Sequence, residues 1–224
     1  MPAERFFFDG DLHGTIEVEG AEHHHLAHVM RMRVSDEVEI VNGRGAIASA
    51  RVAEIGKHSA RLDILSVTQD RIPSPLLTLA VPLMRLAKLE LVIEKCTELG
   101  ASAFWLYPAQ HSEKDDLSPH QQERLKFIAI SAMKQCGRLD LPAIKLVGSL
   151  DDLFQGSELY RFGHPQSECN AAYSEEESIF ISGPEKGFSE KELTILKERA
   201  QGVRLHRNIL RAETAPIVAA VLLG

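Results

Sequence analysis

Two short segments near the C-terminal end constrain this chain more than anything else in it. They are Ile181-Ser182-Gly183-Pro184-Glu185-Lys186-Gly187-Phe188 and Asn208-Ile209-Leu210-Arg211-Ala212-Glu213-Thr214-Ala215-Pro216. Each follows a short apolar run with strand character and leads into a helical pattern. Turns at the carboxyl ends of strands are where an α/β sheet holds a small ligand. The chemistry is therefore expected in the last quarter of the chain.

The region leading to these turns alternates strand and helix. Leu76 to Leu83 reads as an apolar strand. Arg85 to Leu99 carries Leu86, Leu89, Ile93, Cys96 and Leu99 at helical spacing, with Gly100 at the position of a left-handed cap. Phe104 to Tyr107 is the next strand, stopped by Pro108. Ser118-Pro119-His120-Gln121 opens a helix with a capping box, and Leu125, Ile128, Ala132 and Cys136 line its inner face up to Gly137. Further strands are expected at Ile144–Val147, Leu159–Phe162, Ile179–Ile181 and Val203–Leu205. A second capping box, Ser189 with Glu192, opens a helix that buries Leu193, Leu196 and Ala200. This alternation predicts a parallel sheet covered on both faces.

Residues 1–71 have a different rhythm. Val38 to Val41, the Asn42-Gly43 pair and Ala46 to Val52 form a hairpin signal. Arg61 to Val67 alternates as another strand, with Leu62, Ile64 and Leu65 as inward candidates. Glu22 to Met32 reads as one short helix with Leu26, Val29 and Met30 on one face. Short strands at this spacing suggest a small barrel. Ile72-Pro73-Ser74-Pro75 interrupts regular structure, so the boundary is expected there, giving domains 1–72 and 73–224.

Charge and composition narrow the function. The net charge is -7, and residues 1–71 hold 8 Lys/Arg against 12 Asp/Glu. Nonspecific phosphate binding would be weak, so any RNA contact needs a restricted footprint such as Arg31 with Arg33, or Arg204, Arg207 and Arg211. The first fifteen residues lack a signal-like apolar run. Ile217 to Leu223, the longest apolar stretch, is about a third of a membrane span and is expected as a buried terminal helix. Cys96, Cys136 and Cys169 have no C-x-x-C spacing and are read as buried thiols in a reducing cytoplasm.

The candidate residues each have a plainer alternative. Gly183 to Gly187 offers backbone N–H groups and close approach, suited to an adenosine, ribose or carboxylate, or it is an ordinary loop before a helix. Neither G-x-G-x-x-G nor the P-loop pattern occurs. Arg211 and Glu213 beside apolar strand ends need partners: they orient each other or a ligand, or form a structural pair with Thr214 capping the last helix. Arg138 favours a helix carboxyl end or reaches an anionic substrate. His23-His24-His25 and His28 lack zinc-site spacing and read as structural or RNA-facing, with no metal expected.

Taken together, Arg5-Phe6-Phe7, His28-Val29-Met30-Arg31 with Glu37-Val38, Glu94 to Gly100, Gln135-Cys136-Gly137-Arg138 with Pro142, and the two C-terminal segments resemble the bacterial family of 16S ribosomal RNA uridine-N3 methyltransferases, within the SPOUT superfamily. The resemblance spans essentially the whole chain. It implies a PUA-like β-barrel followed by an α/β parallel-sheet methyltransferase domain with a C-terminal trefoil knot, an exception to unthreaded chains. It implies S-adenosylmethionine held by Ile181, Gly183, Pro184, Glu185 and Gly187 from one loop and by Val203, Leu205, His206, Ile209, Leu210 and Thr214 from the other. RNA contacts fall to Arg5, Arg31 and Arg33. Homodimerisation, the small ribosomal subunit as partner and no membrane association are further implications.

Three positions depart from the family pattern. Lys186 and His206 stand where glycines are usual, and His111-Ser112 replaces an Arg-Ser pair. The first two are accommodated if their backbones are ordinary and their side chains face outward. Methylation at uracil N3 needs the imide proton removed and the anion steadied, so Arg211, Glu213 and Arg138 are the catalytic candidates and no cysteine is required. The competing expectation is a non-catalytic RNA-binding or ribosome-assembly factor on the same fold.

Overall fold

The computed structural model describes residues 4–71, 76–156 and 158–224. The proline-rich segment 72–75, where the boundary was expected, lies outside them. The chain divides into two compact units, Met1–Ile72 with Met133–Leu141 and Pro73–Ala132 with Pro142–Gly224.

The first unit contains β1 (Arg5–Phe7), β2 (Thr15–Glu19), α1 (Gly20–His24), β3 (Glu37–Val41), β4 (Ala46–Ile55) and β5 (Ser59–Gln69). They form one sheet in the order β1-β3-β4-β5-β2, with β1 parallel to β3 and the other pairs antiparallel. Alternation along β2 and β4 sends Ile16, Val18, Ala48, Ala50 and Val52 inward, where they meet Phe6, Leu26, Ile40 and Leu62. The Asn42-Gly43 turn closes the β3–β4 hairpin, and the Asn42 side chain accepts from the backbone N–H of Arg44 and Ala46 at 2.9 and 3.2 Å. In β5 the register skips Leu65, which is exposed, so of the three inward candidates Leu62 is buried and Ile64 packs against the core. The expected single helix is instead α1 running into a π turn over His25–Val29, with Met30 N–H donating to His25 O. The wider turn rotates the face, so Leu26 is buried and Val29 is exposed. Segment Met133–Leu141 belongs here through Lys134 Nζ, 2.6 Å from Glu22 Oε1, and Leu141 N–H, donating to Gly43 O at 2.9 Å.

The second unit holds β6 (Leu77–Pro82), α2 (Leu86–Glu98), β7 (Ala103–Tyr107), α3 (Pro119–Cys136), β8 (Ala143–Leu146), β9 (Leu159–Gly163), β10 (Ser178–Ile181), α4 (Glu190–Arg199), β11 (Gln201–Val203) and α5 (Thr214–Leu223). The last turn of α3 belongs to the first unit. Its sheet is wholly parallel, in the order β11-β9-β10-β6-β7-β8. Strands covered on both faces need continuous apolar runs, and every residue of β10 is buried. Both capping boxes form: Ser118 with Gln121, and Ser189 with Glu192. Gly100 and Gly137 end α2 and α3 at φ 94° and 90°.

Local detail departs from expectation in four places. β11 stops at Val203, since beyond it Arg204 makes only an isolated bridge to Asn170. Leu99 is exposed at the end of α2. Cys136 and Cys169 are exposed, leaving only Cys96 in the core, because the last turn of α3 and the loop after β9 are not covered on those sides. The terminal helix α5 buries Pro216, Ala219, Ala220 and Leu223 but leaves Val221 60% exposed. No helix among the described residues is long and apolar enough to cross a membrane.

The sheet order reverses between β6 and β10: the chain builds outward through β7 and β8, then returns to the other side of β6. From β11 at the far edge, the chain crosses back so that α5 packs against α2, β6 and β10. Such a return across intervening strand ends is the path that a threaded chain end requires.

Candidate functional site

A cavity of about 810 Å³ opens at the carboxyl ends of β9, β10 and β11. Three loops wall it: Gly163 to Gln166 after β9, Ser182 to Phe188 after β10, and Val203 to Glu213 after β11. The adjacent switch in strand order is where open α/β sheets bind ligands.

The loop after β10 is held from below and from the side. Tyr107, at the end of β7, donates its hydroxyl to Ser182 O at 2.7 Å, and Ser182 Oγ donates to Ala80 O at 3.1 Å. Burial, and then Glu192, push the Tyr107 phenol well above its usual range, so it stays a neutral donor. His111 Nδ1 lies 3.0 Å from Gly187 O and donates to it in the tautomer protonated there. Gly183 is needed because a Cβ would come 3.0 Å from the Phe188 ring. Gly187 has φ 77° with open space around it, so backbone freedom is what it supplies. Lys186 itself needs no positive φ and is exposed.

The loop after β9 runs along β11. His164 N–H donates to Val203 O at 2.9 Å, Ser167 Oγ to Gly202 O at 2.7 Å, and the Arg204 guanidinium holds Asn170 Oδ1 at 2.9 and 3.1 Å. In the third loop, His206 Nδ1 accepts from Asn208 N–H at 3.1 Å, so the imidazole tightens a surface turn. Ile209, an apolar residue in this loop, is 85% exposed.

The charged groups converge on one ammonium. Lys88, in the first turn of α2, pairs with Glu185 from one loop and lies 3.3 Å from Glu213 Oε2 in the other. That contact is an ion pair outside hydrogen-bond geometry, and Oε2 is buried without a hydrogen-bond donor among the described residues. Burial raises the Glu213 pKa, but its own backbone N–H, Lys88 and Arg211 outweigh burial and hold it below the usual carboxylate range. Arg211 is only loosely paired with Glu213, at 4.0 Å, and its side chain is 85% exposed against 12% for the glutamate. The expected Arg211–Glu213 pair is therefore the weaker contact; Lys88 is the nearer cation.

Of the residues singled out from sequence, Gly183, Pro184, Glu185, Gly187, Val203, Leu205, His206, Ile209, Leu210, Arg211 and Glu213 line the cavity. Ile181 lies beneath it in the core, and Thr214 is the first residue of α5, whose preceding Glu213 makes no side-chain cap. Arg138 is in the other unit, paired with Asp140. Arg5 is bound to Glu39 at 2.6 Å and largely buried, while Arg31 and Arg33 are exposed. Arg31 has φ 55°, a left-handed conformation that costs a non-glycine residue about 1 kcal/mol. His23 is buried with Nε2 3.0 Å from Gly56 O, and His24 stacks on His28 with centroids 5.1 Å apart. Sequence reasoning missed Lys88 and the Gly163–Gln166 wall. A cation in the first turn of a helix, where the dipole disfavours it, was the available signal for Lys88.

Comparison with known proteins agrees with this architecture. An RNA methyltransferase domain profile matches residues 72–224, and an RNA methyltransferase PUA domain profile matches residues 18–65. Ribosomal RNA small subunit methyltransferase E of Bacillus subtilis is 30% identical, over 92% of this chain and 88% of its own length. The enzyme of that name from Rickettsia conorii is 28% identical, over 98% of this chain and 94% of its own. The crystal structure of the Neisseria gonorrhoeae enzyme of the same name, bound to S-adenosyl methionine, superposes with a TM-score of 0.85 at 25% identity, covering 97% of this chain and 95% of that one. The fold is thus a PUA-like domain followed by a parallel-sheet α/β domain, and the chain belongs to the RNA methyltransferase family.

Proposed function

We propose that the protein methylates N3 of a uridine in 16S ribosomal RNA, using S-adenosylmethionine held in the cavity at the ends of β9, β10 and β11. The observation that carries the reading is the cavity itself, which combines apolar walls, a glycine-shaped loop and carboxylates. Val203, Leu205, Ile209 and Leu210 suit an adenine ring, and the exposure of Ile209 leaves apolar surface for a ligand to cover. Gly183 makes room for the Phe188 ring and Gly187 supplies a positive φ, and the loop they shape offers backbone groups to a ribose or a carboxylate. Glu185 and Glu213 share the single Lys88 ammonium, and the carboxylate charge it leaves suits the cationic parts of the donor, so the residues present fit it.

Bound there, S-adenosylmethionine supplies an electrophilic methyl group. The chain's own task is to position a uracil and make its N3 nucleophilic. We assign Arg211 to steady the imide anion; its support is a guanidinium that lines the cavity yet stays exposed to an incoming base. Glu213 is assigned to receive or orient the imide proton. Its support is a carboxylate held ionised by Lys88 and Arg211, with one oxygen lacking a hydrogen-bond donor. Because N3 lies on the pairing edge, the target uridine must be unpaired or extruded.

Residues 1–72 are assigned to RNA grip, with the exposed Arg31 and Arg33 as contacts. Arg138 is assigned no direct chemical step, since Asp140 engages it. A cytoplasmic homodimer completes the proposal, supported by the exposed apolar side chains of Val221 on α5 and Leu91 on α2, two helices in contact. Incubation with small-subunit RNA and S-adenosylmethionine, followed by nucleoside mass spectrometry, should yield 3-methyluridine. A methyl group on ribose or on another base, or none, would refute the assignment.

A further inference from the structure

Lys88 is set where a lone cation is disfavoured. It occupies the first turn of α2, which contains no acidic residue, at the positive end of the helix dipole. Two carboxylates hold it there. Glu185 comes from the loop after β10, 97 residues away in sequence, and Glu213 from the residue preceding α5. Glu213 favours its position for the opposite reason, since a helix amino end stabilises a carboxylate. All three side chains line the same cavity. The two loops proposed to bind the cofactor are thus joined through one ammonium.

We infer that Lys88 is a positioning residue: its ammonium latches the Gly183–Phe188 loop to the His206–Glu213 loop and so sets the width of the cofactor cavity. The inference rests on the proposed function for the identity of the ligand, but the latch itself is a property of the ligand-free chain. Glu185 is the outer, more exposed arm, with 39% side-chain exposure, and Glu213 the inner arm at 12%. Releasing the outer arm should loosen one loop; removing the ammonium should loosen both. Arginine keeps the charge and can span two carboxylates, so it should preserve the latch.

The test uses the full chain as wild type, Lys88→Met, Lys88→Arg and Glu185→Gln, with hydrogen exchange of the ligand-free proteins and calorimetric titration with S-adenosylmethionine. Lys88→Met should speed exchange in both 183–188 and 206–213, by about tenfold, and weaken binding by about tenfold. Lys88→Arg should restore both to near wild type. Glu185→Gln should speed exchange in 183–188 alone, with its thermal midpoint unchanged. If Lys88→Met does not fold, the confined effect of Glu185→Gln decides. Exchange unchanged in either variant, raised in one segment only for Lys88→Met, or raised throughout the sheet, overturns the latch. If the wild type binds no S-adenosylmethionine, the proposed function fails while the exchange result still judges Lys88.

Discussion

Lys88 Nζ lies 3.3 Å from Glu213 Oε2, nearer to that carboxylate than Arg211, its close neighbour in sequence, which stands 4.0 Å away. The pairing separates two roles that adjacency in sequence merges. Glu213 is anchored inward by α2, and the Arg211 guanidinium is left at the cavity mouth. An exposed guanidinium beside an anchored carboxylate suits an enzyme whose second substrate must enter from solvent.

Arg211→Ala should therefore cost turnover and little else. Its side chain is 85% exposed, so the thermal midpoint should stay within the range of ordinary surface substitutions. Loss of one group stabilising the developing charge should lower kcat by about 10²–10³-fold. Single-turnover assays with calorimetric S-adenosylmethionine binding check this; weakened donor binding at unchanged turnover would reassign Arg211 to the cofactor.

Glu213 makes a pH prediction with a definite sign. Its folded pKa is depressed, so its contribution to stability is fully present above the unfolded glutamate value of about 4.3. That contribution fades as pH falls through the still lower folded value. Wild type should melt higher than Glu213→Gln near neutrality, and the gap should close on acidification below pH ~4. Melting curves across that range decide it; a gap that widens on acidification contradicts the depressed pKa.

The two loop glycines should respond differently to alanine. At Gly183 the added Cβ meets the Phe188 ring at 3.0 Å, so the cavity wall must shift and donor binding should fall about tenfold. At Gly187 nothing lies within 4 Å, and only the left-handed φ of 77° resists the change. That strain is about 1 kcal/mol, or a midpoint lower by roughly 2–4 °C, with little change in binding. Calorimetry and melting curves on the pair distinguish contact from backbone.

The cysteines should react in two classes. Cys136 and Cys169 are exposed, whereas burial pushes the Cys96 thiol up to about 12. Brief alkylation of the folded protein near neutral pH, followed by peptide mass spectrometry, should label the first two and spare Cys96 until denaturant is added. Early labelling of Cys96 would mean that α2 opens readily.

What could be read directly from the chain were interactions closed within a few residues. Ser118 with Gln121 and Ser189 with Glu192 cap their helices because donor and acceptor are three positions apart, and Gly100 and Gly137 end helices through their own backbones. The apolar run of β10 and the two turn segments pointed, for the same local reason, to strand ends that line the cavity. Tertiary structure alone decided which distant groups meet. The return of the chain from β9 to β10 beside β6 brings Gly163–Gln166 and Lys88 to the cavity, and no spacing rule encodes that order. It likewise separated Arg138 from this unit, and a single π turn sent Val29 outward. Helical and strand periodicities report which face is apolar; a partner across 97 or more residues is chosen by how the sheet is wound and packed.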